Sequence, residues 1–419
     1  MRAEILSIGD ELISGQTINR NAAWLGEQLQ TVGADCRRHL TVGDNLDEIV
    51  EAMRASARGS DLLLISGGLG PTDDDLTRRA LAVAMHEELV FDPAAFADIE
   101  SFFSRLGRPM PDVNRVQAMR PASAKCIPNA QGTAPGLAAQ WGKCRVFALP
   151  GVPREMKAMF QAAVVAELEG RSGGSVVRIR KINTFGAGES WVGDKIKDLM
   201  QRGANPTVGT SVHDGVVSVR IYARGRPEEA EAMLGRTTRR IGERLGDLIF
   251  SFDEQTMEQV VGTLLLEKRQ TVATAESCTG GLLSQLLTSI PGSSAFFGGG
   301  WITYSTTLKQ SELGIPESLL QSAGAVSAEV AAEMAGAARR NAASDWALAV
   351  TGIAGPDGGS AEKPVGLVYI ALANAKGCDA RRFIFSGGRE QVRLRAGQMA
   401  MTMLRLSLAN LKFEDVVPG

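Results

Sequence analysis

Apolar positions along the first third of the chain alternate between two periods. Residues 3–8, AEILSI, form a short apolar run that ends in the loop GDELISG. Ala22, Ala23, Leu25, Leu29 and Val32 then recur near helical spacing and predict a helix over 19–32. A second helix fits 45–58. Residues 61–68, DLLLISGG, are continuously apolar and end in glycines, the pattern of a strand buried on both faces of a parallel sheet. A helix follows from Asp75 to Val83. A later strand over 144–151, CRVFALPG, leads into a helix over 153–167. This succession predicts a doubly wound α/β domain. In such a domain ligands sit beyond the C-terminal strand ends.

The pattern changes after residue 168. EGRSGGS (169–175) reads as a linker. VVRIRKINTFG, a helix over 188–200, an alternating strand over 216–225 and a helix over 227–245 predict a small α+β domain. The last third is rich in Ala, Gly, Ser and Thr. It predicts helices at 257–268, 280–289, 327–342 and 389–410, with strands at 270–275, 299–304, 345–351 and 365–373. The fold class expected is therefore α/β, with two three-layer α/β domains joined by a small α+β domain. The expected boundaries are 1–170, 171–252 and 253–419. The methionines of the final helix read as core packing.

Composition narrows the function. The 419 residues carry 45 basic and 47 acidic side chains, for a formal charge of −2. A general nucleic-acid or membrane-surface binder would show a basic excess. Aromatic residues make up 5%, which disfavours stacking platforms for single strands. No apolar run reaches the roughly 18 residues of a membrane span. Glu4, Asp10 and Glu11 stand where a signal peptide needs apolar residues, so a cytoplasmic location is expected. Five scattered cysteines without a CxxC pair suggest reduced thiols rather than disulfides or a zinc site. No histidine lies beyond His213. A Ser-His-Asp triad within the last domain is thereby excluded.

Candidate chemistry in the first domain gathers on loops. Gly67, Gly68 and Gly70 offer backbone N–H groups at the start of a helix, which suits a phosphate. Asp10, Glu11, Asp73, Asp74, Asp75 and Glu155 supply hard oxygens. Carboxylates beside a phosphate repel it unless a cation intervenes, so a Mg²⁺-type ion is expected there. The loop Gly132-Thr133-Ala134-Pro135-Gly136 could close over a ligand. A plainer assignment is that the glycines make turns and the acids cap helices. Four such loops at strand ends favour a site.

These loops, GDELISG, SGGLGPTDDDLT, GTAPG and LPGVPREM, resemble the N-terminal domain of the CinA family (competence/damage-inducible protein). That domain resembles molybdopterin-binding enzymes with a GGTG loop followed by Asp. Here Gly67, Gly68, Gly70 and Asp75 match, and Leu69 replaces the Thr. The resemblance implies a metal-dependent ADP-ribose pyrophosphatase. Gly67, Gly68, Gly70 and Thr133 would contact ADP-ribose, and Asp10, Glu11, Asp73, Asp74 and Asp75 would serve as ion or water ligands. The middle part, with NTFGAGES and VSVRIYA, resembles the KH-like domain of the same family. Its basic residues do not cluster enough to suggest direct nucleic-acid contact.

In the last domain Thr274-Ala275-Glu276-Ser277-Cys278-Thr279-Gly280-Gly281 passes from a strand end through hydroxyls and a thiol to glycines opening a helix. Such a turn suits a nucleophile beside an oxyanion hole. Ser277 and Cys278 are rival nucleophiles. In place of histidine, WITYSTTLK offers Tyr304 and Lys309 as bases. A lysine base must be neutral, which requires burial or a neighbouring cation to lower its pKa from about 10.4. On residue type alone Lys309 reads rather as a surface residue starting a helix. TGIAGPDGG (351–359) and FSGGRE (385–390) add a glycine loop and a guanidinium suited to phosphate or ribose.

AESCTGG, WITYSTTLK, TGIAGPDGG, EKPVGLVYIA and FSGGRE together resemble the CinA C-terminal domain, also called PncC. This resemblance implies a nicotinamide mononucleotide (NMN) amidohydrolase. Ser277 would be the nucleophile, Lys309 its base, and Tyr304 would order the proton network. Backbone N–H groups from Thr279 to Gly281 would form the oxyanion hole. Thr279, Gly280, Gly281, Thr351, Gly352 and Arg389 would bind NMN. No cofactor is implied for this domain, and a homodimer in the cytoplasm is implied for the whole. Two other readings remain at this stage. One is a molybdopterin-binding or adenylyl-transfer protein; the other is a non-catalytic partner in competence or recombination.

Overall fold

The computed structural model describes residues 1–171 and 176–416. The chain divides into two compact units, Met1–Arg178 with Ala223–Ala232, and Ile179–Tyr222 with Met233–Gly419.

The first unit is built on a six-stranded sheet. Its spatial order is Asp35–Val42, Arg2–Ile8, Leu62–Ser66, Cys144–Leu149, Gly136–Trp141 and Lys125–Ile127. The first four strands run parallel and the last two antiparallel to their neighbours. Every residue of Leu62–Ser66 is buried, as a strand covered on both faces requires. Ile49, Met53 and Leu81 pack on Leu6, Leu63 and Ile65 on one face. Leu25, Leu29 and Phe160 pack on Ile5, Leu62 and Leu64 on the other. The result is three layers. The edge strand DCRRHLTV is half-exposed and charged, so it carries no apolar run to predict it. The predicted helix at 75–83 instead spans Thr77–Met85, leaving Asp75 in the loop. The helix starting at Pro153 widens into a π-helical stretch at Phe160–Val165 and continues as Ala166–Arg171. The predicted linker at 169–175 is thus helical up to Arg171, and its residues 172–175 lie outside the described residues.

The second unit carries a five-stranded sheet ordered Phe297–Ile302, Val272–Glu276, Trp346–Gly352, Leu367–Asn374 and Gly377–Ile384. The first three strands are parallel, and the last two join antiparallel. The strand Gly377–Ile384, GCDARRFI, is another exposed edge without an apolar signal. The alanine-rich composition of this region now has a purpose. Ala331, Ala335 and Ala338 of the helix Ala328–Ala342 lie on Ala273, Ala275, Ala347, Ala349 and Ala371 of the sheet. Small side chains on both surfaces let helix and sheet approach closely.

The other face is covered by the helix Arg389–Leu408, whose Met399, Met401, Met403 and Leu404 are core residues, as expected. A smaller sheet, Thr207–His213, Val216–Gly225, Val176–Thr184 and Ile249–Ser251, forms the α+β part. Arg405, buried in the long helix, donates to the carbonyls of Asp247 (2.7 Å) and Ile249 (3.3 Å). Among the described residues no helix is long and apolar enough to cross a membrane.

Candidate active site

Ser277 follows the fully buried strand Val272–Glu276 directly. Its N–H is fastened to the Val350 carbonyl at 2.9 Å, and its own carbonyl accepts from Gly280 N–H at 3.1 Å. The turn between them places Gly280 and Gly281 at φ +58° and +94°. Gly281 is doubly required: a Cβ there would also lie 2.9 Å from Ile302 Cδ1.

Lys309 comes from the helix Thr306–Leu313, which Ser305 caps through the Leu308 N–H. Only 1% of Lys309 is exposed. Its Nζ lies 2.9 Å from Ser277 Oγ, 2.7 Å from the Thr303 carbonyl and 3.4 Å from the Tyr304 carbonyl. Burial lowers its pKa to about 8, because a low-dielectric setting disfavours the ammonium form. Burial has the opposite consequence for the rival nucleophile. It pushes the Cys278 thiol up to about 12, far from a usable thiolate.

Three sequence expectations need correction. The N–H groups of Gly280 and Gly281 are already committed, the first to Ser277 O and the second to Glu276 Oε2 at 2.9 Å. The uncommitted donors of the turn, among the described residues, are Cys278 and Thr279 N–H. Tyr304 is 56% exposed and its hydroxyl accepts from Arg389 at 2.9 Å; the atom it turns toward Lys309 is its backbone carbonyl. Thr351 is buried and its hydroxyl donates to the Ala325 carbonyl at 2.7 Å, a structural tie. Gly352 belongs to the strand Trp346–Gly352, where a Cβ would meet the Leu367 carbonyl at 2.6 Å. Arg389 does stand at the entrance of its helix, bridging Tyr304 and the Gly355 carbonyl (2.8 Å).

Glu276 escapes a search for catalytic motifs because nothing marks it as buried. Its carboxylate accepts from Gly281 N–H (2.9 Å), Leu283 N–H (3.1 Å), Ser284 N–H (2.8 Å) and Ser284 Oγ (2.6 Å). It staples the glycine turn to the next helix. The Thr279 and Thr303 hydroxyls are buried and have no hydrogen-bond partner among the described residues.

In the first unit a cavity of about 910 Å³ opens at the parallel strand ends, lined by Gly67, Gly68, Gly70, Asp74, Thr133 and Glu155 among others. Gly67 has φ +109°, and a Cβ there would meet the Ile8 carbonyl at 2.3 Å. The phosphate cradle is narrower than the glycines suggest. Gly67 N–H donates to Leu149 O (3.1 Å) and Gly70 N–H to Asp75 Oδ1 (2.7 Å). Gly68 and Leu69 N–H remain uncommitted among the described residues. Arg78, buried and lowered to about 10 by desolvation, donates to the Leu69 and Gly70 carbonyls and organises the loop from beneath.

The acids serve the loops more than an ion. Asp75 also accepts from Thr72 N–H (2.9 Å) and Thr72 Oγ1 (2.5 Å). Asp10 and Asp44 each accept the other's N–H at 3.0 Å. Burial, then the charges of Asp10, Glu11 and Asp74, raise the Asp44 pKa. The Thr72 hydroxyl lowers that of Asp74. Among the described residues no three His, Cys, Asp or Glu side chains gather as a metal-holding group. The expected set Asp10, Glu11, Asp73, Asp74 and Asp75 therefore does not converge as a protein-built cation site.

Comparison with known proteins agrees with this organisation. Residues 4–170 match the family described as "Probable molybdopterin binding domain", 179–251 the "Damage-inducible protein CinA KH domain", and 254–408 the "CinA C-terminal domain". A CinA-like protein of Geobacter sulfurreducens is 44% identical over 411 residues, covering 97% of this chain and 99% of its own. Another from Geotalea uraniireducens is 42% identical over 418 residues, covering 99% and 100%. A crystal structure of the protein CinA from Thermoplasma acidophilum is 38% identical. It covers 40% of this chain and 97% of its own, with a TM-score of 0.38. With 42–44% identity to the two CinA-like relatives over 97–99% of this chain and all three domain models in order, the chain belongs to the CinA family.

Proposed function

We propose that the C-terminal domain hydrolyses NMN to nicotinate mononucleotide and ammonia with a Ser277/Lys309 pair. The observation that carries this is the 2.9 Å approach of a buried Lys309 Nζ to Ser277 Oγ. A neutral amine has two N–H donors and one lone pair. The Thr303 and Tyr304 carbonyls take the donors, and the lone pair is left for the serine hydroxyl. A pKa of about 8 supplies that neutral form near physiological pH.

Ser277 Oγ attacks the carboxamide carbon while its proton passes to Lys309. The tetrahedral oxyanion is held by N–H donors of the turn, where one donor contributes about 10²–10³ in rate. The C–N bond breaks, and ammonia leaves with the proton from Lys309. Water then attacks the acyl-serine with Lys309 taking its proton, and the acyl C–Oγ bond breaks as Lys309 returns that proton to Ser277, releasing nicotinate mononucleotide. Arg389 at the helix entrance is suited to the substrate phosphate. The test is ammonia release from NMN by the full chain, with Ser277→Ala and Lys309→Ala as controls. Full activity in either folded variant overturns the mechanism.

For the first unit we propose ADP-ribose pyrophosphatase activity. The supporting observation is the cavity of about 910 Å³, lined by Gly68 and Leu69, whose N–H groups have no partner among the described residues. Among the described residues the acids do not gather as an ion-holding group, so a divalent cation would be held chiefly by the substrate's own phosphates. AMP formation from ADP-ribose, with and without added Mg²⁺, tests this reading. Both activities fit cytoplasmic pyridine-nucleotide salvage by a homodimer.

A further inference from the structure

Besides Glu276, the turn that carries Ser277 is held by a second side chain that the motifs do not mark. Arg393 Nη2 and Nε donate to the Thr279 carbonyl at 2.6 and 3.1 Å. We propose that Arg393 is the positioning residue of this turn and sets the aim of its oxyanion donors. The proposal rests on the deamidase reading above and deepens it.

The peptide joining Thr279 to Gly280 is pinned at both ends. Its N–H donates to the Ser277 carbonyl (3.1 Å), and its carbonyl accepts from Arg393 and from Leu282 N–H (3.2 Å). Release of that carbonyl would let Thr279 itself shift, and with it the preceding Cys278–Thr279 peptide, whose Thr279 N–H is one of the two uncommitted donors beside Ser277. Gly280, at φ +58°, resists such a shift little by itself. The guanidinium lies 3.6 Å from where a Gly280 Cβ would stand, so it packs on the open side of the turn.

The clamp has a rigid root. Val392 and Ala396, on either side of Arg393 in the helix Arg389–Leu408, are fully buried. Arg389, four residues earlier and so on the same helix face, reaches instead to the Tyr304 hydroxyl and the Gly355 carbonyl. The two arginines divide the work. Arg389 ties the loops suited to substrate, and Arg393 ties the loop of the nucleophile. A planar two-donor fork suits a single carbonyl in a way that a lysine point charge does not.

The experiment compares full-length wild type, Arg393→Ala and Arg393→Lys with NMN, following kcat, KM, the pH–rate profile and thermal unfolding. We expect kcat of Arg393→Ala to fall about 10²-fold, as a displacement of about 1 Å at the reacting centre does. KM should stay within about twofold. The rate should keep rising through the same pH as in wild type, since Lys309 keeps its surroundings. Arg393→Lys should restore part of the loss, and added guanidinium should restore part of it in Arg393→Ala. A rise in KM with unchanged kcat overturns the proposal in favour of direct phosphate contact. Unchanged kcat and KM overturn it outright. If Arg393→Ala does not fold, the same kcat-against-KM split in Arg393→Lys decides. A wild type that releases no ammonia sinks the deamidase reading instead, so the two failures are distinct.

Discussion

The two glycine turns of this protein follow the same grammar and reach different ends. Each follows a fully buried parallel strand, Leu62–Ser66 in one unit and Val272–Glu276 in the other. Each is stapled by a carboxylate that takes N–H groups of its own loop: Asp75 for Gly70 and Thr72, Glu276 for Gly281, Leu283 and Ser284. Around the first turn Glu11, Asp44, Asp74 and Glu155 line the cavity. Behind the second turn a lysine is buried against a serine. A phosphate cradle needs only backbone donors and an open cavity. Amide hydrolysis needs a hydroxyl and a base whose proton affinity burial has retuned. On the functions proposed above, the same turn would serve as a binding surface in one place and as a nucleophile mount in the other.

The largest expected effect is on the serine. Ser277→Ala should abolish ammonia release from NMN while AMP formation from ADP-ribose continues; parallel loss of both would break the comparison. Lys309→Met should also remove deamidation, yet raise stability. A lysine whose folded pKa is about 8 against 10.5 unfolded binds fewer protons folded than unfolded. Its penalty is full below about pH 8 and fades toward pH 10.5, so wild-type stability should rise with pH across that window. The methionine variant should then unfold about 1–3 kcal/mol later at pH 7, with the gap closing by pH 10.5. In the wild type, kcat/KM should climb through about pH 8 as Lys309 loses its proton.

Glu276→Gln comes next. An amide cannot accept from all four donors, and stability should drop by about 2–3 kcal/mol in denaturant titration. Deamidation should fall with it. The smallest expected effect is Asp75→Asn, which keeps one acceptor oxygen and should cost about 1 kcal/mol. It should weaken ADP-ribose turnover and leave NMN hydrolysis unchanged; an equal loss of both would contradict the independence of the two turns.

Much of this was legible in the chain. The buried strands announced themselves by uninterrupted apolar runs, and the glycines by their clustering at strand ends. The charged edge strands Asp35–Val42 and Gly377–Ile384 were not, because a half-exposed strand lacks an apolar signature. Nor was the commitment of Gly280, Gly281 and Thr351. A motif shows that a donor exists, whereas only neighbouring chain segments show whether it is already spent.

The order of residues by itself determined the α/β class and the histidine-free last domain, since these depend on local pattern and residue type; the candidate serine and lysine came from the family resemblance of their motifs. Folding decided that Lys309 is buried rather than solvated, that Glu276 and Arg393 brace the turn, and that the acids of the first unit bind their own loops. Burial and hydrogen-bond pairing belong to segments far apart in sequence, and they set proton affinity and donor availability only once the chain has brought those segments together.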